Sequence, residues 1–220
     1  MPAKIRPDEV TVVVPTLDSG AWIGRFVDCI TEALPGSAVV LVDDFSGDET
    51  RQILRSLTTD EPTLSVIENL ARAGQLEATL VGCRSATSEW VITIDDDWKV
   101  TGEALQEMLI LGYGFDVVYG HVRGHSAFGN LGLSRFVRRI GPVFGVPKTV
   151  CEASSTRLFR RNLLDSRVAA PLDFHLLSVG GATGHCDLKL DLLDGVQRRH
   201  TFGSRLSMAT SYVSYRDWVG

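Results

Sequence analysis

Short runs of β-branched and aliphatic residues punctuate the first hundred positions, and helix-like stretches separate them. Val10 to Val14 is the first run. Pro15 stops it, Thr16-Leu17-Asp18-Ser19-Gly20 supplies turn chemistry, and a helix is predicted from Trp22 to Leu34, ended by Pro35-Gly36. The pattern then predicts a strand over Val39 to Val42, a helix over Glu49 to Leu57 and a strand over Leu64 to Ile67. A helix over Gly74 to Ala86 and a strand over Trp90 to Ile94 follow. Such alternation with short connections argues for an α/β protein with a mainly parallel central sheet, helices on its faces and right-handed crossovers. The segments Pro15 to Gly20, Asp43 to Asp48, Asn69 to Gly74 and Asp95 to Lys99 then gather at one carboxyl edge of the sheet.

The second half is less regular. A helix is predicted from Gly102 to Leu111 and a strand from Phe115 to Tyr119, whereas Gly120 to Gly129, rich in glycine and histidine, reads as a mobile loop. Arg135 to Ile140 is basic and helical in pattern. Cys186 to Leu192 alternates with period two, a half-exposed strand with its leucines inward, and an arginine-bearing stretch from Arg198 to Arg205 comes after it. No repeat, low-complexity tract or linker divides the 220 residues, which fit one domain.

Asp95, Asp96 and Asp97 close the apolar run Val91-Ile92-Thr93-Ile94, and Asp43-Asp44 closes Val39 to Val42. Aspartate ends many strands because it suits turns and caps. Two acidic strand ends in one open sheet, however, sit where such sheets bind ligands, and carboxylates one residue apart can share a hard divalent cation with phosphate oxygens. The formal charge of −5 gives no basic footprint for nucleic acid. The four cysteines, Cys29, Cys83, Cys151 and Cys186, form no metal-binding spacing and read as reduced core thiols of a cytoplasmic protein. No run approaches the roughly 20 apolar residues of a membrane helix, so membrane contact is expected to be peripheral at most, at the inner face.

Several segments in order resemble one family. Val12-Val13-Val14-Pro15-Thr16 is similar to the first strand of inverting family-2 glycosyltransferases of the GT-A fold. Val42-Asp43-Asp44-Phe45-Ser46-Gly47-Asp48-Glu49-Thr50 resembles their "VDDGSxDxT", and Ile94 to Asp97 their D-x-D. Gly74-Gln75, Ala78 and Gly82 match a glycine-and-alanine-spaced helix. Thr156 to Arg161 resembles "FRLFRR" and Phe202 to Ser207 "GxSKxS" of the dolichyl-phosphate mannose synthase-like, polyprenyl-phosphate sugar transferase group. The resemblance implies an α/β, Rossmann-like GT-A domain, with residues 10–100 binding the nucleotide sugar and 101–220 the acceptor.

The same resemblance implies site roles. Asp97 is the first choice as ligand to Mg²⁺ or Mn²⁺, with Asp95 reaching the metal or the ribose. Pro15, Thr16, Asp18, Asp43, Asp44, Arg72, Gly74 and Asp96 would line the donor site for a UDP-, GDP- or TDP-sugar. Arg123, Ser134, Arg157, Arg199 and Arg205 would receive an acceptor phosphate, because guanidinium groups bind phosphate bidentately; Arg157 stands lower, as a partner for Glu152. Two departures matter: Lys99 stands where the group has a metal-assisting glutamine, and Asn130 stands where a second arginine precedes Ser134 by four residues.

The implied enzyme is a hexosyltransferase-type glycosyltransferase acting on a polyprenyl phosphate. A phosphate oxygen is already ionised near neutral pH and needs no general base. Asp173, Asp187 and Asp191 are candidate bases should the acceptor be a hydroxyl. A catalytically silent nucleotide-binding module and, last, a nucleotidyltransferase are the other readings, and a homodimer is compatible with the chain.

Overall fold

The computed structural model describes residues 4–122, 154–164, 172–179, 181–194 and 196. After a 3₁₀ turn at Pro7–Glu9, β1 (Val10–Thr16) enters the centre of the sheet with all seven residues buried. Burial on both faces is what a continuous apolar strand achieves between two helical layers. The alternation continues through α1 (Ile23–Ala33), β2 (Ala38–Asp43), α2 (Thr50–Asp60), β3 (Leu64–Glu68), α3 (Gln75–Ser85) and β4 (Trp90–Thr93). The remaining described elements are β5 (Trp98–Lys99), α4 (Gly102–Leu111), β6 (Val117–Val122), β7 (Arg157–Arg160), a 3₁₀ turn at Arg161–Leu164, α5 (Leu172–Ser178), β8 (Thr183–Leu188) and β9 (Asp191–Leu192).

Seven strands form one sheet in the order β3-β2-β1-β4-β7-β6-β8, and β5 pairs with β9 in a separate two-stranded ribbon. Strands β3, β2, β1 and β4 are parallel neighbours, β7 runs against both β4 and β6, and β6 and β8 are parallel. Every strand of the large sheet except β7 therefore points its carboxyl end to the same edge.

Side chains from alternate strand positions fill two cores. Val12, Val14, Leu41 and Ile92 pack with Phe26, Ile30 and Met108 on one face. Val13, Val42, Val91 and Phe159 pack with Ala78, Leu80 and Leu176 on the other. The second core admits α3 closely because Gly82 faces the strands: a Cβ there would lie 2.4 Å from Val13 Cγ1 and 2.9 Å from Val42 Cγ2.

The first half follows the sequence expectation with ends shifted by one to three residues. Pro15 does not stop β1, which continues to Thr16 with Pro15 opposite Val42; at a strand end the missing N–H costs little, and the Thr16 carbonyl accepts from Asp44 N at 2.9 Å. Farther along, Gly120, His121 and Val122 belong to β6 and not to a loop. Gly120 serves packing there, since a Cβ would meet Leu188 Cδ1 at 2.4 Å. The period-two run divides: Cys186 and Leu188 are buried in β8, Leu190 is buried in the connection, and β9 turns away to pair with β5. The rest of the expected loop to Gly129, the helix over Arg135 to Ile140 and the stretch Arg198 to Arg205 lie outside the described residues.

Filling the Gly82 gap forces β-branched Val13 and Val42 to move inside a close-packed layer, so Gly82→Val is expected to cost about 3 kcal/mol. Gly24 in α1 has open space where its Cβ would stand, and Gly24→Ala is expected to leave stability unchanged or slightly higher. Urea unfolding midpoints of the two variants check the contrast.

Candidate active site

The loops after β1 and β2 are stitched together by polar groups. Asp18, in left-handed backbone at φ 47°, donates its N–H to Ser46 Oγ (2.9 Å) and accepts from Gly47 N at Oδ1 (2.7 Å). Ser19 N donates to Thr50 Oγ1 (2.7 Å) and Gly20 N to Asp48 Oδ2 (3.1 Å). Asp48 also accepts from the N–H and hydroxyl of Thr50. Burial pushes the Asp48 carboxyl up, but these hydrogen bonds from Thr50 and Gly20 outweigh it and hold the pKa below the ordinary aspartate value.

Asp43 and Asp44, expected to face the nucleotide, are both buried and both hold backbone. Asp43 accepts from Ser46 N (3.1 Å) and pairs with Arg51 Nε (2.6 Å). Asp44 accepts from Asn69 Nδ2 (3.0 Å), Ala73 N (2.7 Å) and Gly74 N (2.8 Å), so the end of β2 fixes the loop that starts α3. Gly74 takes φ 92°, the left-handed turn that admits the chain into that helix. Arg72 is exposed on the same loop, and Thr16 is buried beneath it all.

The acidic triplet divides its work. Asp95 Oδ1 accepts from Gln75 Nε2 (2.7 Å), at the first residue of α3, and Oδ2 from Ser155 Oγ (2.5 Å), just before β7. Both partners are neutral, and no ion pair involves Asp95 among the described residues. Asp96 turns toward the first loop, where it accepts a hydrogen bond from the Ser19 hydroxyl and lies near the Trp22 indole. Burial, augmented by the charges of Asp97 and Asp95 and opposed by these two groups, raises its pKa to about 7. Asp96, expected at the donor, thus links the loop after β4 to the loop after β1. The Asp97 carbonyl accepts from Leu193 N (3.0 Å), which ties the triplet to β9. Trp98 is buried, and Lys99 is exposed opposite Asp191 in the ribbon.

Behind Asp95 lies a second layer that the sequence did not reveal. The Ser155 carbonyl accepts from the Thr93 hydroxyl (2.8 Å) and from Arg157 Nη1 (2.9 Å). Arg157 grips Asp173 with two nitrogens, Nη2 at 2.7 Å and Nε, and both side chains are mostly buried. Its carboxylate partner is therefore Asp173, while Glu152 lies outside the described residues. Gln75 entered the sequence reading only within the Gly74-Gln75 segment, with no role at Asp95, and Ser155 and Ser19 were missed because neutral side chains leave no charge pattern.

On the β6–β8 part of the edge, His121 and His185 stack with ring centroids 5.4 Å apart, and Asp187 lies opposite His121 in register. Arg123, Ser134, Arg199 and Arg205 lie outside the described residues. The described cysteines, Cys29, Cys83 and Cys186, are free thiols, and burial pushes Cys83 and Cys186 up to about 12.

A family model described as Glycosyl transferase family 2 matches residues 11–167, more than half of the chain. No curated protein matches the sequence. Among solved structures, Staphylococcus aureus TarS 1–349 is similar with a TM-score of 0.57 and 19% identity, over 82% of this chain. This chain spans only 60% of that TarS fragment. Glucosyl-3-phosphoglycerate synthase from Mycobacterium tuberculosis, in complex with Mn²⁺, UDP and glucosyl-3-phosphoglycerate, gives 0.66 at 19% identity, over 94% of this chain and 79% of that one. The mannosyltransferase PcManGT from Pyrobaculum calidifontis, in complex with GDP-Man and Mn²⁺, gives 0.67 at 21% identity, over 99% and 67%. These likenesses establish a shared fold.

The Asp48 clamp has a pH signature. A carboxyl whose folded pKa is depressed contributes stability above its unfolded pKa and loses it as pH falls through the folded value. Asp48→Ala is expected to lower stability at pH 7 by about 1–2 kcal/mol, the worth of hydrogen bonds to a charged group, with the difference from wild type shrinking in acid. Denaturant unfolding across pH checks both parts.

Proposed function

We propose that this chain, which belongs to glycosyl transferase family 2, moves a sugar from a nucleoside-diphosphate donor to a polyprenyl phosphate with inversion, assisted by Mg²⁺ or Mn²⁺. Its architecture is the GT-A fold of its structural neighbours, and glycosyl transfer is the family's activity. The observation that carries the reading is the carboxyl edge of the sheet. Four strand ends deliver their loops to one side, and the Asp95 carboxylate is fixed there by two neutral donors, with no cation paired to it among the described residues.

That donor set suits a hard divalent ion. Such an ion commonly takes one or two carboxylates and fills its remaining positions with phosphate oxygens and water. Asp97 and Asp95 are the residues that would hold it, and Lys99, exposed in the adjoining ribbon, lies nearby in sequence. When bound, the ion stabilises the charge that develops on the departing diphosphate. The protein's own share is positioning: Gln75 and Ser155 orient Asp95, Asp96 holds the first loop through Ser19, and Arg72 on the rim is available to the diphosphate or base. Complexes of the synthase with Mn²⁺ and UDP and of the mannosyltransferase with GDP-Man and Mn²⁺ support the donor and metal classes.

Support for the lipid phosphate comes from sequence order and chemistry. β6 ends on the ligand edge at Val122, and the chain runs on into Arg123, the first of the arginines assigned to an acceptor phosphate with Ser134, Arg199 and Arg205. Arg157 is committed to Asp173 and acts in this reading as a brace for Ser155. No helix among the described residues is long and apolar enough to cross a membrane, so contact with the lipid acceptor is proposed to be peripheral. A hydroxyl acceptor is the second reading, favoured by one feature: Asp187 is exposed on β8 beside the His121–His185 pair, where it could serve as a base.

Labelled transfer from UDP-, GDP- and TDP-sugars to a short polyprenyl phosphate, with Mg²⁺ or Mn²⁺, tests these readings. Label is expected in the organic extract, with Asp97→Asn lowering turnover about a hundredfold or more, the scale of several kcal/mol of lost charge stabilisation. Asp187→Asn is expected to be silent. Transfer confined to water-soluble alcohols and abolished by Asp187→Asn would establish the hydroxyl reading instead.

A further inference from the structure

Phe45 occupies the loop after β2 in a conformation that phenylalanine rarely adopts. Its φ is 65°, in the left-handed region, where a side chain crowds its own backbone and glycine sits without cost. The motif that this segment resembles has glycine at that place. The residue is also 49% exposed at the ligand edge of the sheet. A strained backbone and a half-exposed aromatic ring are both unfavourable to the folded chain taken alone, and residues held this way cluster at ligand clamps.

The ring is held in place. The Arg51 guanidinium lies over it, 4.8 Å from the centroid. Arg51 is itself fixed by the Asp43 carboxylate (2.6 Å) and the Asn69 carbonyl (3.2 Å). A cation on one face anchors the ring and leaves accessible surface toward solvent. The next residue after Asn69, Leu70, is 95% exposed, and Asn69 N bonds the Asp43 carbonyl at 2.9 Å. Phe45 and Leu70 thus mark the rim between the ends of β2 and β3 with apolar surface, within the same stitched loops that border Asp95.

We propose that Phe45 is a base-stacking residue of the donor site, presenting its ring to the nucleobase of a bound nucleoside diphosphate. A nucleobase suits this rim because every base has a flat π-face that stacks on an aromatic ring whatever its hydrogen-bonding edge. The inference rests on the nucleotide-sugar reading above and extends it to a residue that no charge pattern marks. Asp43, already engaged with Arg51, then contributes through the ring it helps to hold.

Calorimetric titration of the full chain with UDP, GDP and TDP in the presence of Mn²⁺ tests the proposal. Phe45→Gly removes the ring from a backbone that glycine fits, so its Tm is expected to stay within a few degrees of wild type. Its Kd for the nucleotide that wild type binds best is expected to rise about tenfold, the typical worth of one base stack. Phe45→Tyr is expected to bind as wild type, and Phe45→Leu, apolar without a π-face, more weakly than either. Equal affinity of Phe45→Leu and wild type, or of Phe45→Gly and wild type, overturns the proposal. Failure of the wild type to bind any of the three nucleotides overturns the donor reading together with it.

Discussion

Two adjacent carboxylates at the end of β2 must be buried and satisfied, and the rest of the ligand edge is arranged around how that is done. Asp44 collects three N–H groups from the segment that leads into α3, and Asp43 collects Arg51 and the backbone of its own loop. Leaving such acceptors unpaired would cost about 1–3 kcal/mol or more each. The folding chain has one way to avoid this, which is to bring the loops after β2 and β3 together in a defined shape. Asp18 and Asp48 do the same between the first and second loops, so the loops after β1, β2 and β3 are mutually fixed before any ligand arrives.

The loop after β4 carries the acidic triplet, and its side chains diverge. Asp96 points back to Ser19 and Trp22 and closes the ring of loops, with burial holding its pKa near 7. Asp95 is oriented from two sides by Gln75 and Ser155, and Ser155 is in turn fixed by Thr93 and by the Arg157–Asp173 pair. A carboxylate held in this manner loses little further freedom when it takes up a cation, which is the physical sense of a preorganised site. The antiparallel strand β7 is what makes this possible: it inserts beside β4 and carries Ser155 to the ligand edge.

The parallel half was legible because its strands are short, mostly apolar and β-branched runs and its helices lie between clear turn residues. Val10 to Val14 and Trp90 to Ile94 are long enough to read without context. β7 was not legible as a strand, since Arg157-Leu158-Phe159-Arg160 has only two apolar residues and its charged ends pair with Asp173, Asp116 and Glu89 far away in sequence. The same distinction holds for the site. Asp95 and Asp97 stand out as charge at a strand end, whereas Gln75 and Ser155 matter only through contacts across 20 and 60 residues of chain. Asp43 and Asp44 stand out as charge at the end of β2, but their hydrogen bonds come from loops whose approach no local pattern encodes.

In the proposed function, one site at this edge binds a divalent ion and a nucleoside diphosphate together through the acidic triplet. Anomalous diffraction from crystals of the full chain grown with Mn²⁺ and the preferred nucleoside diphosphate tests it most directly. A manganese peak is expected in contact with the Asp97 carboxylate, with diphosphate oxygens completing its coordination and Asp95 beside it. A nucleotide bound at this edge with the metal elsewhere, or a metal at the triplet with no nucleotide in the crevice, would contradict it.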